Sequence, residues 1–262
     1  MNSPERLMLP DVQAQLDGRN IRIDGVGVKG VRYPLSIRSA GSVMPTVATL
    51  SMSVGLSASV KGTHMSRFME ILEAQTEALD QQDFKAMAVN MLKRLDAQSG
   101  AIEMKFPYFI KKTAPVSNVQ SLLDVEVCWR ASVQASGNSA FRMQVTVPAT
   151  SLCPCSKEIS EYGAHNQRSH ISIEVSLTEE MTIEELIKIA ERNASCEVYG
   201  LLKRADEKYV TERAYDNPKF AEDLVRDVAL SLNQELRVGA YVVEAENFES
   251  IHNHSAFARV AR

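Results

Sequence analysis

The sequence predicts an α+β protein made of two successive units, each running strand, strand, helix, helix, strand, strand, with the helices on one face of an antiparallel sheet. Three observations predict it. Alternating apolar residues recur in strand-length runs, helical spacing stands between the second and third strands of each unit, and the second half repeats the element order of the first. The halves are dissimilar in sequence, so the repetition is one of order, with units expected at 1–135 and 136–262.

A first strand is expected near Ile21 to Val28. The second has Ala48, Leu50, Met52, Val54, Leu56, Ala58 and Val60 alternating with small polar residues or Gly, the pattern of a half-buried strand. Thr63 is expected to cap a helix with apolar Met65, Phe68, Met69, Leu72 and Leu79, and Asp83 a second with Phe84, Met87, Met91, Leu92 and Leu95, closed by Gly100. Ile102, Met104 and Phe106, then Leu123 to Val133, complete the unit.

In the second half, Met143 to Val147 and Ile171 to Leu177 are strands. Thr182-Ile-Glu-Glu185 is a capping box opening a helix, and Asn217-Pro218 opens another through Leu224, Val228 and Leu232. Strands at Val238 to Val243 and Ala256 to Val260 follow. Eight such strands leave edges that need partners, and an oligomer closing the sheets into a barrel would supply them.

Gly25-Val-Gly-Val-Lys-Gly30 matches the glycine pattern of a dinucleotide site, but that site needs a helix to start at the loop. Val31-Arg-Tyr-Pro34 follows instead, and Pro34 disfavours helix before it.

At 262 residues the chain can bury a sizeable core, and 45% hydrophobic with 24% charged residues is a globular composition. A formal charge of −4 argues against a general nucleic-acid binder. No apolar run of about 18 residues predicts a membrane span. Met1 to Arg6 lack the pattern of a secretory signal, so a cytoplasmic location with reduced cysteines is expected. Cys128 and Cys196 are expected in the core.

The chemistry concentrates in Val147 to His170, which holds two of the four cysteines and two of the five histidines. Cys153-Pro-Cys155 with His165 and His170 permits a closed structural zinc site, an open catalytic metal site using some of these donors, or redox and packing roles. A single residue between the cysteines is tight for structural zinc and for a disulfide. Glu207 stands in a charged run, and Glu249, His252 and His254 in a loop between strands. Lys61-Gly-Thr-His-Met-Ser-Arg67 lies where a strand meets a helix. There Lys61, His64 and Arg67 suit phosphate oxygens, or form a basic surface turn.

Four motifs in order, Lys61 to Phe68, Leu152-Cys-Pro-Cys-Ser-Lys157, Gly163-Ala-His-Asn-Gln-Arg168 and Glu249-Ser-Ile-His252, resemble the GTP cyclohydrolase IB family over nearly the whole chain. The resemblance implies tandem tunnelling-fold domains in a homotetramer with active sites at subunit interfaces. It implies a GTP cyclohydrolase I activity giving 7,8-dihydroneopterin triphosphate and formate, the entry to folate synthesis. It assigns Cys153, His165 and Glu207 to a divalent metal, Zn²⁺, Mn²⁺ or Fe²⁺. His252 and Glu249 fall near the chemistry, Glu222 on the guanine edge, and Lys61, His64 and Arg67 on the triphosphate. Rivals are two other tunnelling-fold enzymes, the nitrile reductase of queuosine synthesis and an archaeal cyclohydrolase giving a cyclic phosphate, and a non-catalytic zinc-stabilised module.

Overall fold

The computed structural model describes residues 10–262; the reading of Met1 to Arg6 lies outside them. In chain order the elements are β1 (Ile23–Ser39), β2 (Ser42–Leu56), α1 (Ser66–Glu73), α2 (Gln81–Leu95), β3 (Ser99–Thr113), β4 (Gln120–Gln134), β5 (Ser139–Leu152), α3 (Pro154–Ile159), β6 (Asn166–Leu177), α4 (Ile183–Asn193), β7 (Cys196–Glu197), α5 (Arg204–Asp216), α6 (Ala221–Asn233), β8 (Val238–Phe248) and β9 (Ser255–Ala261). The strands make one nine-stranded sheet in the order β1-β2-β3-β4-β5-β6-β8-β9, with β7 pairing β5 beyond the end of β4. Every pairing between named strands is antiparallel.

The expectation of tandem domains, each with its own four-stranded sheet, is therefore corrected. Ser136-Gly137-Asn138, which looks like a boundary, is a hairpin turn: Gly137 has φ 93° and the amide of Gln134 donates to the Asn138 carbonyl at 2.8 Å. β4 and β5 pair from Glu126↔Thr146 to Val133↔Ser139, so the sheet runs through the midpoint. The core does too. Phe141 of β5 packs edge-on to Trp129 at 5.9 Å and to Phe84 of α2 at 6.2 Å, completing an aromatic cluster with Phe106. Glu184 of α4 accepts from Ser39 Oγ and Tyr108 OH, both at 2.6 Å, tying that helix of the second half to β1 and β3. Nor does the second half repeat the first, because α3 interrupts its first two strands and α4, β7, α5 and α6 separate β6 from β8.

Inward residues of the strands are buried against the helices, as in Ile102, Met104, Phe106 and Tyr108 of β3 or Ile171, Ile173 and Val175 of β6. The other face is polar: Arg130 donates to Glu103 at 2.8 Å and to Glu174 at 2.5 Å across the strands. Local boundaries also differ from expectation. Met65, not Thr63, takes the N-cap position of α1, and the helix stops at Glu73, leaving Leu79 buried on the chain beside Ile37. Asp80 caps α2 with Asp83 as its reciprocal partner, and Asp96, in the left-handed conformation at φ 51°, ends it rather than Gly100. Asn217 closes α5, and α6 starts at Ala221. The glycine motif runs within β1. A Cβ on Gly27 would lie 1.9 Å from the Met52 carbonyl oxygen, and Gly30, at φ 73°, sits at a register shift.

Candidate active site

The β5–β6 register ends with Leu152 opposite Asn166, so the next residues outward, Cys153 and His165, face each other where the ladder opens into a loop. The amide of Cys153 donates to the His165 carbonyl at 3.1 Å and closes that loop. Cys153 caps α3, with Pro154 in the first turn, and its Sγ accepts the Ser156 amide at 3.4 Å. Ser156 Oγ donates to the Cys153 carbonyl at 3.1 Å and accepts the His165 amide at 3.2 Å. Both candidate donors are thus held by main-chain bonds, and both side chains are half-buried.

The His165 ring has Nδ1 within 3.1 Å of Gln167 Oε1 and 3.2 Å of Ser250 Oγ, which leaves Nε2 as the nitrogen for a ligand. Ser250 belongs to the loop between β8 and β9, so the contact brings the Glu249-to-His252 segment to His165. His252 is exposed and stacked on His254 at 5.2 Å. Lys219, two residues before α6, donates its amide to the Leu152 carbonyl at 3.0 Å and so brings the start of that helix to the end of β5, and Glu222 is exposed in its first turn.

Glu207 is placed differently. Its neighbour Asp206 is buried and pins the start of α5 to the β3–β4 turn, accepting from the amides of Val116, Ser117 and Lys203 at 2.8 Å and from Ser117 Oγ at 2.5 Å. Burial works against the Asp206 charge, but these bonds outweigh it and hold the carboxyl well below the usual range. Eight residues later on α5, Tyr215 meets α3 through its carbonyl, which accepts from Lys157 Nζ at 2.5 Å. Glu207 therefore stands about 12 Å along the helix from that contact. Among the described residues no three His, Cys, Asp or Glu side chains converge as a metal group. The closed site of Cys153, Cys155, His165 and His170 is not assembled; Cys155 is exposed, and the His170 ring packs against Phe248 at 4.8 Å. A thiol and an imidazole on residues whose main chains meet are nevertheless donor types that suit a divalent transition metal as two of its ligands.

The basic set lies elsewhere on this chain. His64 and Arg67 line a cavity of about 820 Å³ with Asp11, Gly62, Asp96 and Gln134, and that lining includes none of the residues around Cys153. His64 Nε2 is 3.1 Å from Asp11 Oδ1, Lys61 Nζ donates to Gln15 Oε1 at 3.1 Å, and Arg67 donates to the Arg94 carbonyl at 3.2 Å. The Ala14 amide, then His64, lower the Asp11 pKa.

Sequence reasoning missed a set of polar side chains beneath the loop. Ser151, Gln167, Ser169 and Asn247 are buried at inward positions that are apolar further along β5, β6 and β8. The switch from Val147 and Ala149 to Ser151, and from Ile171 to Ser169 and Gln167, was the available signal. Burial pushes the thiols of Cys128 and Cys196 up to about 11, which suits core residues and not nucleophiles.

A family model described as type I GTP cyclohydrolase FolE2 matches residues 9–258. The chain belongs to this family. A GTP cyclohydrolase FolE2 of Dechloromonas aromatica (strain RCB) is 59% identical over 261 residues, covering 99% of this chain and 98% of the relative. The GTP cyclohydrolase FolE2 of Azoarcus sp. (strain BH72) is 56% identical over 263 residues, covering 100% and 98%. The family shown is FolE2, where the motifs alone gave a resemblance to the IB family. Among solved structures, uricase from Arthrobacter globiformis aligns over 91% of this chain and 92% of its own, with a TM-score of 0.55 at 7% identity. A urate oxidase from Bacillus sp. TB-90 aligns over 92% and 99%, with a TM-score of 0.53 at 10% identity. At these identities the likeness is one of fold, and it covers 91% and 92% of this chain, against the tandem-domain expectation.

Proposed function

We propose that this FolE2-family chain is a GTP cyclohydrolase that converts GTP and water to 7,8-dihydroneopterin triphosphate and formate, the first step of tetrahydrofolate synthesis. The observation that carries the reading is the family match across residues 9–258. The paired ends of β5 and β6, where the Cys153 amide meets the His165 carbonyl, support siting the chemistry there. No helix of the described residues is long and apolar enough to cross a membrane.

FolE2 chemistry calls for a divalent metal ion; Cys153 and His165 are proposed as two of its ligands and Glu207, which does not converge with them in this structure, as the third when the ion binds. When bound, such an ion supplies Lewis acidity to the water that attacks C8 of the guanine ring. Glu222 accepts N1–H and the 2-amino group of guanine together, because one carboxylate matches two adjacent donors. His252 moves protons to and from the ring nitrogens as the imidazole ring opens and C8 departs as formate. Glu249, three residues away, is the carboxylate proposed beside it, as proton relay, partner of His252 or further metal ligand. Lys61, His64 and Arg67 hold the triphosphate. Their separation from the Cys153 loop supports a site completed by a neighbouring subunit, in a homotetramer.

The test is GTP turnover. Chelated protein incubated with GTP and reloaded separately with Zn²⁺, Mn²⁺ and Fe²⁺ is expected to release formate and a product that oxidises to a fluorescent pterin. Consumption of NADPH with a pterin-like nitrile, and no formate, would assign the chain to the reductase instead.

A further inference from the structure

Beneath the Cys153 loop, four buried polar side chains cross three strands in one row. Gln167 Nε2 donates to Ser151 Oγ at 2.8 Å, Ser151 and Ser169 hydroxyls are 2.7 Å apart, and Ser169 Oγ is 2.7 Å from Asn247 Oδ1. The ladder sets this row, with Ser151 opposite Gln167 and Ser169 opposite Asn247. Ser151 and Ser169 are wholly buried, Asn247 is 3% exposed and Gln167 7%. Four polar groups at inward strand positions cost burial energy that an apolar row would avoid.

With Asn247 Oδ1 and Gln167 Nε2 facing the serines, their valences give the row one direction. Asn247 Oδ1 only accepts, so the single Ser169 proton goes to it. Ser169 Oγ also lies in donor geometry to Ser151 Oγ, but with its one proton given to Asn247 the Ser151 proton completes that contact, and Ser151 Oγ accepts from Gln167 Nε2. Gln167 consequently turns Oε1 toward His165 Nδ1 at 3.1 Å, and an amide oxygen there requires a proton on Nδ1. The far end of the row thus decides the tautomer at its near end. Reversing one bond means reversing all four.

We infer that Gln167, Ser151, Ser169 and Asn247 form a one-directional hydrogen-bond chain that positions His165, keeping its proton on Nδ1 and presenting Nε2 as the ligating nitrogen. The inference rests on the reading of His165 as a metal ligand. These are positioning residues, since none reaches the reacting atoms. Ser250 Oγ, 3.2 Å from the same nitrogen, shares the Nδ1 proton from the loop side.

The experiment reads the tautomer directly in metal-free protein, by ¹⁵N–¹H long-range correlation of the histidine rings at about pH 8.5, above the ordinary His range. The wild-type His165 signal is expected in the Nδ1–H form; an Nε2–H signal there overturns the inference without any variant. Asn247→Leu removes the terminal acceptor at similar volume and lets the row reverse, so an Nε2–H population is expected. Zn²⁺ affinity, measured by competition with a chromophoric chelator, should weaken by about 10–100-fold. Gln167→Met, nearer the surface, should act alike, whereas Gln167→Glu restores an acceptor and should bind Zn²⁺ within a few-fold of wild type. Folded Asn247→Leu and Gln167→Met proteins with unchanged tautomer and Zn²⁺ affinity would sink the positioning role. If His165→Ala binds Zn²⁺ as tightly as wild type, the ligand reading fails instead, while the tautomer result still reports on the row.

Discussion

The main chain of Cys153 donates to the main chain of His165 at 3.1 Å, so the two candidate ligands are brought together by backbone and not by their own side chains. Neither side chain carries the fold at this point. Cys153→Ala is accordingly expected to fold with a Tm within a few degrees of wild type, because the lost Sγ contact to the Ser156 amide is a single weak cap. Formate release should drop below detection. Unfolding of Cys153→Ala at ordinary temperature would show the loop to be a structural staple instead.

Trp129, the sole tryptophan, sits in the cluster of Phe84, Phe106 and Phe141, which draws on both sides of the chain's midpoint. One continuous sheet predicts one cooperative transition. Urea unfolding followed by Trp129 fluorescence and by far-ultraviolet circular dichroism should give coincident curves. Phe141→Ala should lower both midpoints together, costing about 3–5 kcal/mol. Two separated transitions would restore the picture of independent units.

The alternation that marks β3, β4 and β6 was plain in the sequence because one face of each is apolar and the other polar. Continuity across Gly137 was not, since a Ser-Gly-Asn turn marks a hairpin and a domain boundary alike. α5 was hidden for a different reason: only Asp206 and Ala214 are buried on it, so it carries almost no apolar stripe, and Lys203 to Lys208 looks like a solvated charged run. The motif cysteines and histidines were legible by type. Ser151, Gln167, Ser169 and Asn247 were not, because a Ser or Gln in an alternating strand is ordinarily taken to face water. Only the strand register turns them inward.

Asp206 gives the acid limb of stability a specific origin. Its carboxyl has a folded pKa below its ordinary value, so its contribution is fully present above about pH 4 and is lost as pH falls toward the lowered folded value. Asp206→Asn should flatten the Tm profile below about pH 4 and lower Tm by about 3–8 °C at neutral pH. It should also reduce turnover, because the turn that presents Glu207 is pinned by Asp206. A variant with the wild-type acid profile would show that the four hydrogen bonds to this carboxylate do not set it.

Thiol reactivity separates the four cysteines. Cys155 is exposed and Cys153 half-buried, whereas Cys128 and Cys196 are buried with pKa pushed up to about 11. At pH 8 the last two carry on the order of a thousandth as thiolate. An aromatic disulfide reagent should titrate two thiols quickly in metal-free native protein and four after denaturation. Saturating Zn²⁺ should reduce the quick pair to Cys155 alone. Rapid reaction at four sites in the native protein would contradict the burial of Cys128 and Cys196.

The distance between chemistries on one chain leads to a prediction about two. His64 and Arg67 line a cavity that excludes the Cys153 loop, so a complete site is expected to draw its triphosphate ligands from one subunit and its metal ligands from another. Arg67→Ala should raise KM for GTP by about tenfold or more, in keeping with the loss of a charge-assisted phosphate contact. Cys153→Ala should be inactive at any GTP concentration. Unfolded together and refolded as a mixture, the two variants would place an intact Cys153 beside an intact Arg67 at about a quarter of the interfaces, and GTP turnover at low substrate should return to that level. Turnover no greater than the sum of the separately refolded variants would put all these residues in one subunit. The segment from Lys61 to Arg67 would then have to reach the Cys153 loop by a rearrangement within the chain.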